Sequence, residues 1–180
     1  MKLVIIRRPE INKDAGSAGE PSAPSFKGKE QLARVAETCR DQGVQAVIHS
    51  IMPRAAIAAN ELAQTLRVPS IDQEGLEERS FGDWNSWEWP QIAQELDKLT
   101  PEERYTFVPP NGESWQQMTE RLGVALVHIA SLEYESVAVM MHTGSMRGLL
   151  PIVRGEPRES TLQFMPDYGE AVVEEYVAQG

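Results

Sequence analysis

Residues 137–150 read VAVMMHTGSMRGLL. The first five are all apolar, which suits a strand buried on both faces. A polar turn, His142-Thr143-Gly144, follows at once, and Met146–Val153 then carries a helical pattern. A buried strand that runs through a polar turn into a helix is the unit of an α/β sheet. The unit recurs along the chain. Leu3–Ile6 is a second aliphatic run, closed by Arg7-Arg8-Pro9. Val44–Ile48 is a third, followed by Ser50, Pro53 and Arg54. Val68–Ile71 reads as a further strand and Ala171–Val177 as a last one, antiparallel at an edge.

Helical periodicity fills the intervals. Leu32, Val35, Ala36 and Cys39 share one face of a helix over Gly28–Asp41. Pro53 suits a first helical turn, and strong helix formers continue over Ala55–Leu66. Short helical segments are expected over Ile92–Leu99 and Pro101–Phe107, and a long one over Glu120–Leu132. Asn111-Gly112 marks a turn and Ser114 an N-cap. Residues 9–27 are rich in Gly, Pro, Ser and charge, a long loop. The expected fold is a three-layer α/β sandwich, a mostly parallel central sheet with helices on both faces. It forms one domain over residues 1–180, with 76–110 as a small lid or insertion.

In such sheets ligands sit beyond the carboxyl ends of the strands. The polar residues at those ends are Arg7 and Arg8, Ser50 and Arg54, and His142, of which Arg7, Arg54 and His142 are candidates for one shared site. Two guanidinium forks and an imidazole could converge on one anion, and a phosphate matches the fork geometry. The chain has 27 acidic and 17 basic residues, a formal net charge of −10. That excludes a nucleic-acid backbone as the main partner and requires any anion site to concentrate its positive charge locally. No apolar run is long enough for a membrane span, and the N-terminus lacks a secretory pattern, so a cytoplasmic protein is expected. The one cysteine, Cys39, reads as a reduced buried thiol. No His/Cys cluster has metal-ligand spacing, and neither metal nor cofactor is expected. His49 reads as a satisfied strand-end residue and His128 as a core or boundary one. Trp84, Trp87 and Trp89 read as a packing cluster, and Glu77-Glu78-Arg79 alone would be a solvated face.

Several stretches together resemble the histidine phosphatase superfamily, the phosphoglycerate mutase-like proteins. LVIIRRPE at 3–10 resembles its opening strand, whose hallmark is Arg-His followed by Gly or Pro. HSIMPRAAIAANELA at 49–63 resembles its Ser-Pro-x-x-Arg-Ala segment, and LEERSFGDW at 76–84 its Leu-x-Glu-x-x-Phe-Gly-x-Trp block. PNGESWQQMTER at 110–121 matches Pro-x-Gly-Glu-Ser…Arg, and 139–150 matches His-Gly-Gly-x-x-Arg. The resemblance implies that Arg7, Arg54, His142 and Thr143 bind phosphate and that Glu78 is the proton donor to the leaving oxygen. It also implies that Arg8 stands at the position of the nucleophilic histidine. A guanidinium has no lone pair to offer to phosphorus. Ile11, Ile57, Ala58 and Thr143 depart from the family pattern as well.

The resulting expectation is a protein that binds phosphate or a small phosphomonoester, with phosphohistidine catalysis lost or impaired. Three alternatives stand beside it. One is an active phosphatase or mutase using another nucleophile, such as His142 or an activated water. Another is an enzyme disabled by substitution at position 8. The last is a non-catalytic interaction module with a protein partner on the Trp-rich segment. An ion pair between Arg8 and Glu78 is a further expectation.

Overall fold

The computed structural model describes residues 1–12 and 23–177. Its strands are β1 (Lys2–Arg7), β2 (Ala46–Ser50), β3 (Ser70–Gln73), β4 (Ser136–Met141) and β5 (Ala171–Glu175). They form one sheet in the order β3-β2-β4-β1-β5. β1, β2, β3 and β4 are parallel, and β5 lies antiparallel against β1. The helices are α1 (Phe26–Asp41), α2 (Pro53–Leu66), α3 (Trp89–Leu96), α4 (Pro101–Thr106), α5 (Trp115–Ser131) and α6 (Thr143–Arg154).

Strand side chains alternate between two cores, as the two-residue period requires. Leu3, Ile5, Ile48, Val137 and Val139 pack with Met118, Leu122 and Leu126 of α5 and with Met146 and Leu149 of α6. Val4, Ile6, Val47, Ala138 and Met140 pack with α1 and α2 on the other face. The α2 contacts are made by Ala58, Ala59, Leu62 and Ala63, which bring that helix close to the sheet. The architecture is therefore the three-layer sandwich. All of β4 is buried, which explains why its sequence shows no alternation.

Several element ends differ from the sequence reading, for local reasons. β2 starts at Ala46 because Gly43, at φ +65°, ends α1 and the Val44 amide still bonds Cys39 O. β3 starts at Ser70 because Arg67 takes the left-handed cap of α2 and the Val68 amide closes on Ala63 O. α1 begins at Phe26, where Ser25 Oγ accepts from the Gly28 amide. α5 begins at Trp115, directly after the Ser114 cap. α6 begins at Thr143, with only the N-cap His142 between it and β4. α3 runs over Trp89–Leu96, earlier than expected, from a capping box of Glu88 and Gln91. Most of the loop expected over 9–27 lies outside the described residues. Its two ends meet in an antiparallel bridge between Ile11 and Pro24.

Candidate functional site

Because β1, β2 and β4 are parallel, their carboxyl ends share one edge. Arg7 pairs with Met141 and His49 with Met140, so the register sets Arg7, Ser50 and His142 in adjoining rows. Pro53 opens α2 and puts Arg54 in its first turn, over the same edge. The segment after β3 brings Glu78 there from the far side of β2. A cavity of about 900 Å³ opens at this point. Arg7, Arg54, Glu78, Thr143 and Gly144 all line it, together with Arg147, Tyr168 and an aromatic wall.

The arginines are held, but not neutralised. Arg7 gives an Nη1 hydrogen bond to Pro166 O, and its guanidinium lies 3.7 Å from the centre of the Tyr168 ring. Arg8 Nη1 donates to Pro9 O at 3.1 Å, with its guanidinium 5.4 Å from the same ring. Among the described residues Arg54 Nη2 reaches only the Met52 sulfur, at 3.7 Å. Among the described residues no carboxylate forms an ion pair with any of the three. Burial first, then the positive charge of Arg54, pulls the Arg8 guanidinium below its ordinary pKa. Arg8 does not line the cavity.

The expected Arg8–Glu78 ion pair is not formed. Glu78 turns instead to backbone amides, Oε2 accepting from Gly144 at 3.0 Å and Oε1 from Arg79 at 2.9 Å. The amide of Gly144 belongs to the first turn of α6, a favourable place for a carboxylate. A Cβ on Gly144 would collide with the Glu78 carboxyl, so glycine is needed for this approach. Arg121 fixes the backbone that carries Glu78. It donates to Gly75 O at 2.7 Å, Glu77 O at 3.0 Å and Glu78 O at 3.3 Å, and to both oxygens of Glu113 at 2.9 and 2.7 Å. The Glu-Ser…Arg spacing of 113–121 thus serves the position of Glu78.

His142 sits beneath the cavity rather than in its wall. It is 1% exposed, and its Nε2 is 3.0 Å from Ser50 Oγ. Burial first, then the charges of Arg54, Arg8 and Arg121, pushes its pKa down to about 2. The imidazole is therefore neutral at ordinary pH and can offer a hydrogen bond, not a charge. Its Nδ1 and the Nε of Arg7 are buried without a hydrogen-bond partner. Buried polar groups left unpaired are uncommon, and two of them at one strand edge mark it as unusual.

His49 is buried at its strand end as expected, whereas His128 is exposed on α5 rather than in the core. His49 is bonded to Ser50 O and lies 3.3 Å from Asp72, and His128 Nδ1 is 2.6 Å from Gln73 Oε1. Trp84 and Trp87 stack on each other, ring centres 5.0 Å apart, and Trp84 meets Phe107. Trp89 does not join them; it faces the cavity edge-on to Phe81, at 6.2 Å. Arg79 is no solvated residue: it is 4% exposed, donates to Glu113 O and Phe107 O, and lies over Phe81 and Trp115. Burial lowers its pKa to about 10. The sequence reading missed Tyr168 and Met165, which precede β5 in a segment without periodicity. It also gave no role to Trp115 or Arg147, which both line the cavity, the guanidinium 4.9 Å from the ring centre. Among the described residues no group of three His, Cys, Asp or Glu could hold a metal ion. No described helix is long and apolar enough to cross a membrane.

The mostly parallel sheet thus carries, at its carboxyl edge, a cleft lined by arginines and a carboxylate. The chain belongs to the histidine phosphatase superfamily (branch 1), whose family model matches residues 25–180. The matched stretch holds Arg54, Glu78 and His142 and begins after Arg7-Arg8. The adenosylcobalamin/alpha-ribazole phosphatase of Escherichia coli K12 is 25% identical over 181 positions, covering 94% of this chain and 87% of that protein. Among solved structures, the alpha-ribazole phosphatase of Shigella flexneri superposes with a TM-score of 0.78 at 23% identity, over 96% of this chain and 89% of its own. The mycobacterial glucosyl-3-phosphoglycerate phosphatase bound to VO3 gives 0.78 at 20% identity, over 96% and 90%. At these identities the two structures show the shared fold.

Proposed function

We propose that this protein holds inorganic phosphate or a small phosphomonoester at the strand edge, and that phosphohistidine catalysis is lost or impaired. The observation that carries the reading is the convergence of Arg7, Arg8 and Arg54 on one strand edge without a carboxylate partner among the described residues. Three guanidiniums so placed repel one another, and a dianion offsets that repulsion more than any neutral ligand. Arg7, Arg54 and Thr143 take the phosphoryl oxygens, and His142 supports them from below as a neutral hydrogen-bonding group. Glu78 stands where a leaving oxygen would emerge.

Arg8 occupies the nucleophile's place and cannot attack phosphorus, since its lone pairs are delocalised and its proton is kept. His142 is a poor replacement, because it is buried and engaged with Ser50. Arg8 does not fill the cavity, which favours ligand binding over a sealed interaction surface. Residues 76–110 act as a small lid on the one domain, supplying Glu78, Phe81 and Trp89 to the wall. The buried, single Cys39 suits a reducing compartment, and we place the protein in the cytoplasm.

Calorimetric titration with inorganic phosphate tests the binding. Saturable binding at millimolar concentration or tighter is expected, weakening as salt rises. Arg54→Ala should cost about 10- to 100-fold in affinity, the worth of a charge-assisted hydrogen bond. No binding by the wild type at millimolar phosphate would overturn the reading.

A further inference from the structure

Beyond its cationic end, the cavity is walled by apolar and aromatic side chains. Trp89 and Phe81 form an edge-to-face pair at its rim, 6.2 Å apart and inclined by 75°. Trp115 and Met165 also line it. Trp89 is 58% exposed and Met165 is 61% exposed. Neither supports the cores on the two sheet faces. Two large apolar groups kept open beside a cluster of unpaired guanidiniums are amphipathic in the way a ligand site is.

Several polar groups here are each engaged with the protein through one or two atoms. Arg79 spends its donors on Glu113 O and Phe107 O, Asn85 accepts from the Phe81 amide, and Glu77 accepts from the Gly75 amide. Arg147 gives Nε to Thr161 O and lies 4.9 Å from the Trp115 ring centre. The exposed Trp89 ring and the Met165 thioether remain open to a flat apolar group.

We propose that the Trp89–Phe81–Trp115–Met165 wall is a subsite for a planar aromatic substituent, so that the preferred ligand is an aryl or similarly flat, apolar phosphomonoester. The inference rests on the phosphate reading above and adds the class of group the phosphate carries. The phosphoryl end is fixed by Arg7 and Arg54, and the ring lies across Glu78 toward Trp89.

Three titrations of the wild type separate the two readings: inorganic phosphate, glycerol 1-phosphate and phenyl phosphate. Phenyl phosphate is expected to bind about tenfold tighter than glycerol 1-phosphate, the scale of one well-placed aromatic contact. Trp89→Ala and Met165→Ala, on largely exposed side chains, should each remove most of that preference and leave inorganic phosphate affinity unchanged. Equal binding of phenyl and glycerol phosphates would overturn the aromatic subsite while leaving the phosphate reading intact. Absence of binding by all of them, inorganic phosphate included, would overturn both.

Discussion

Replacing Arg121 by methionine keeps the aliphatic stem and removes every donor. Glu113 loses both of its guanidinium bonds, and the carbonyls of Gly75, Glu77 and Glu78 lose theirs. Breaking a fully buried charge pair from one side costs about 3–5 kcal/mol. Here the side chains are 25% and 18% exposed, so water recovers part of that loss. A net cost of about 3 kcal/mol is reasonable, hence a fall in Tm of roughly 6–12 °C for a chain of this size. Arg121→Lys should do almost as badly, because an ammonium cannot fork to a carboxylate and three carbonyls together. Thermal unfolding by circular dichroism gives the first number. Hydrogen exchange gives a second: the Gly144 amide, bonded to Glu78, should exchange faster in Arg121→Met. A fall in Tm below about 2 °C, with the Gly144 amide unchanged, would refute the view that Arg121 positions Glu78.

Other consequences follow from the burial of single groups. An unfolded histidine takes up its proton near pH 6.5, whereas folded His142 resists protonation until about pH 2. Between those values the unfolded state binds more protons, so His142 contributes stability that is lost as pH falls, at up to about 1.4 kcal/mol per unit. Urea midpoints from pH 7 to 5 should therefore decline less in His142→Asn than in wild type; equal slopes would contradict this. Burial raises the Cys39 thiol to about 12, so at pH 8 it should react with a disulfide reagent only as fast as the protein unfolds. Gly144→Ala should displace the Glu78 carboxyl and lower stability by about 1–3 kcal/mol, the cost of leaving its partner amides unpaired, as read from denaturant unfolding.

The layers of the fold were legible because apolar runs in β1, β2 and β4 have no reason to exist except burial on both faces. The convergence of Arg7, Arg54 and His142 was legible from the same pattern, since parallel strands put their ends together. The sequence was less informative where position depends on tertiary packing. Nothing local shows that Glu78 would choose the α6 amides over Arg8. Nothing local shows that Trp89 would leave the Trp84–Trp87 stack. The burial of His142 under Ser50 follows from strand register, which a single sequence does not display. Strands β2 and β3 start two residues later than expected, after a left-handed residue, Gly43 or Arg67, that follows the preceding helix.

The central claim is that the site retains its charge and its acid but lacks an attacking atom, because Arg8 stands in that place. Hydrolysis of p-nitrophenyl phosphate by wild type, Arg8→Ala and Arg8→His measures this most directly. The account predicts that wild type is no faster than Arg8→Ala, and that Arg8→His gains measurable turnover with an acid-labile phosphoenzyme. Robust wild-type turnover that persists in Arg8→Ala would contradict it.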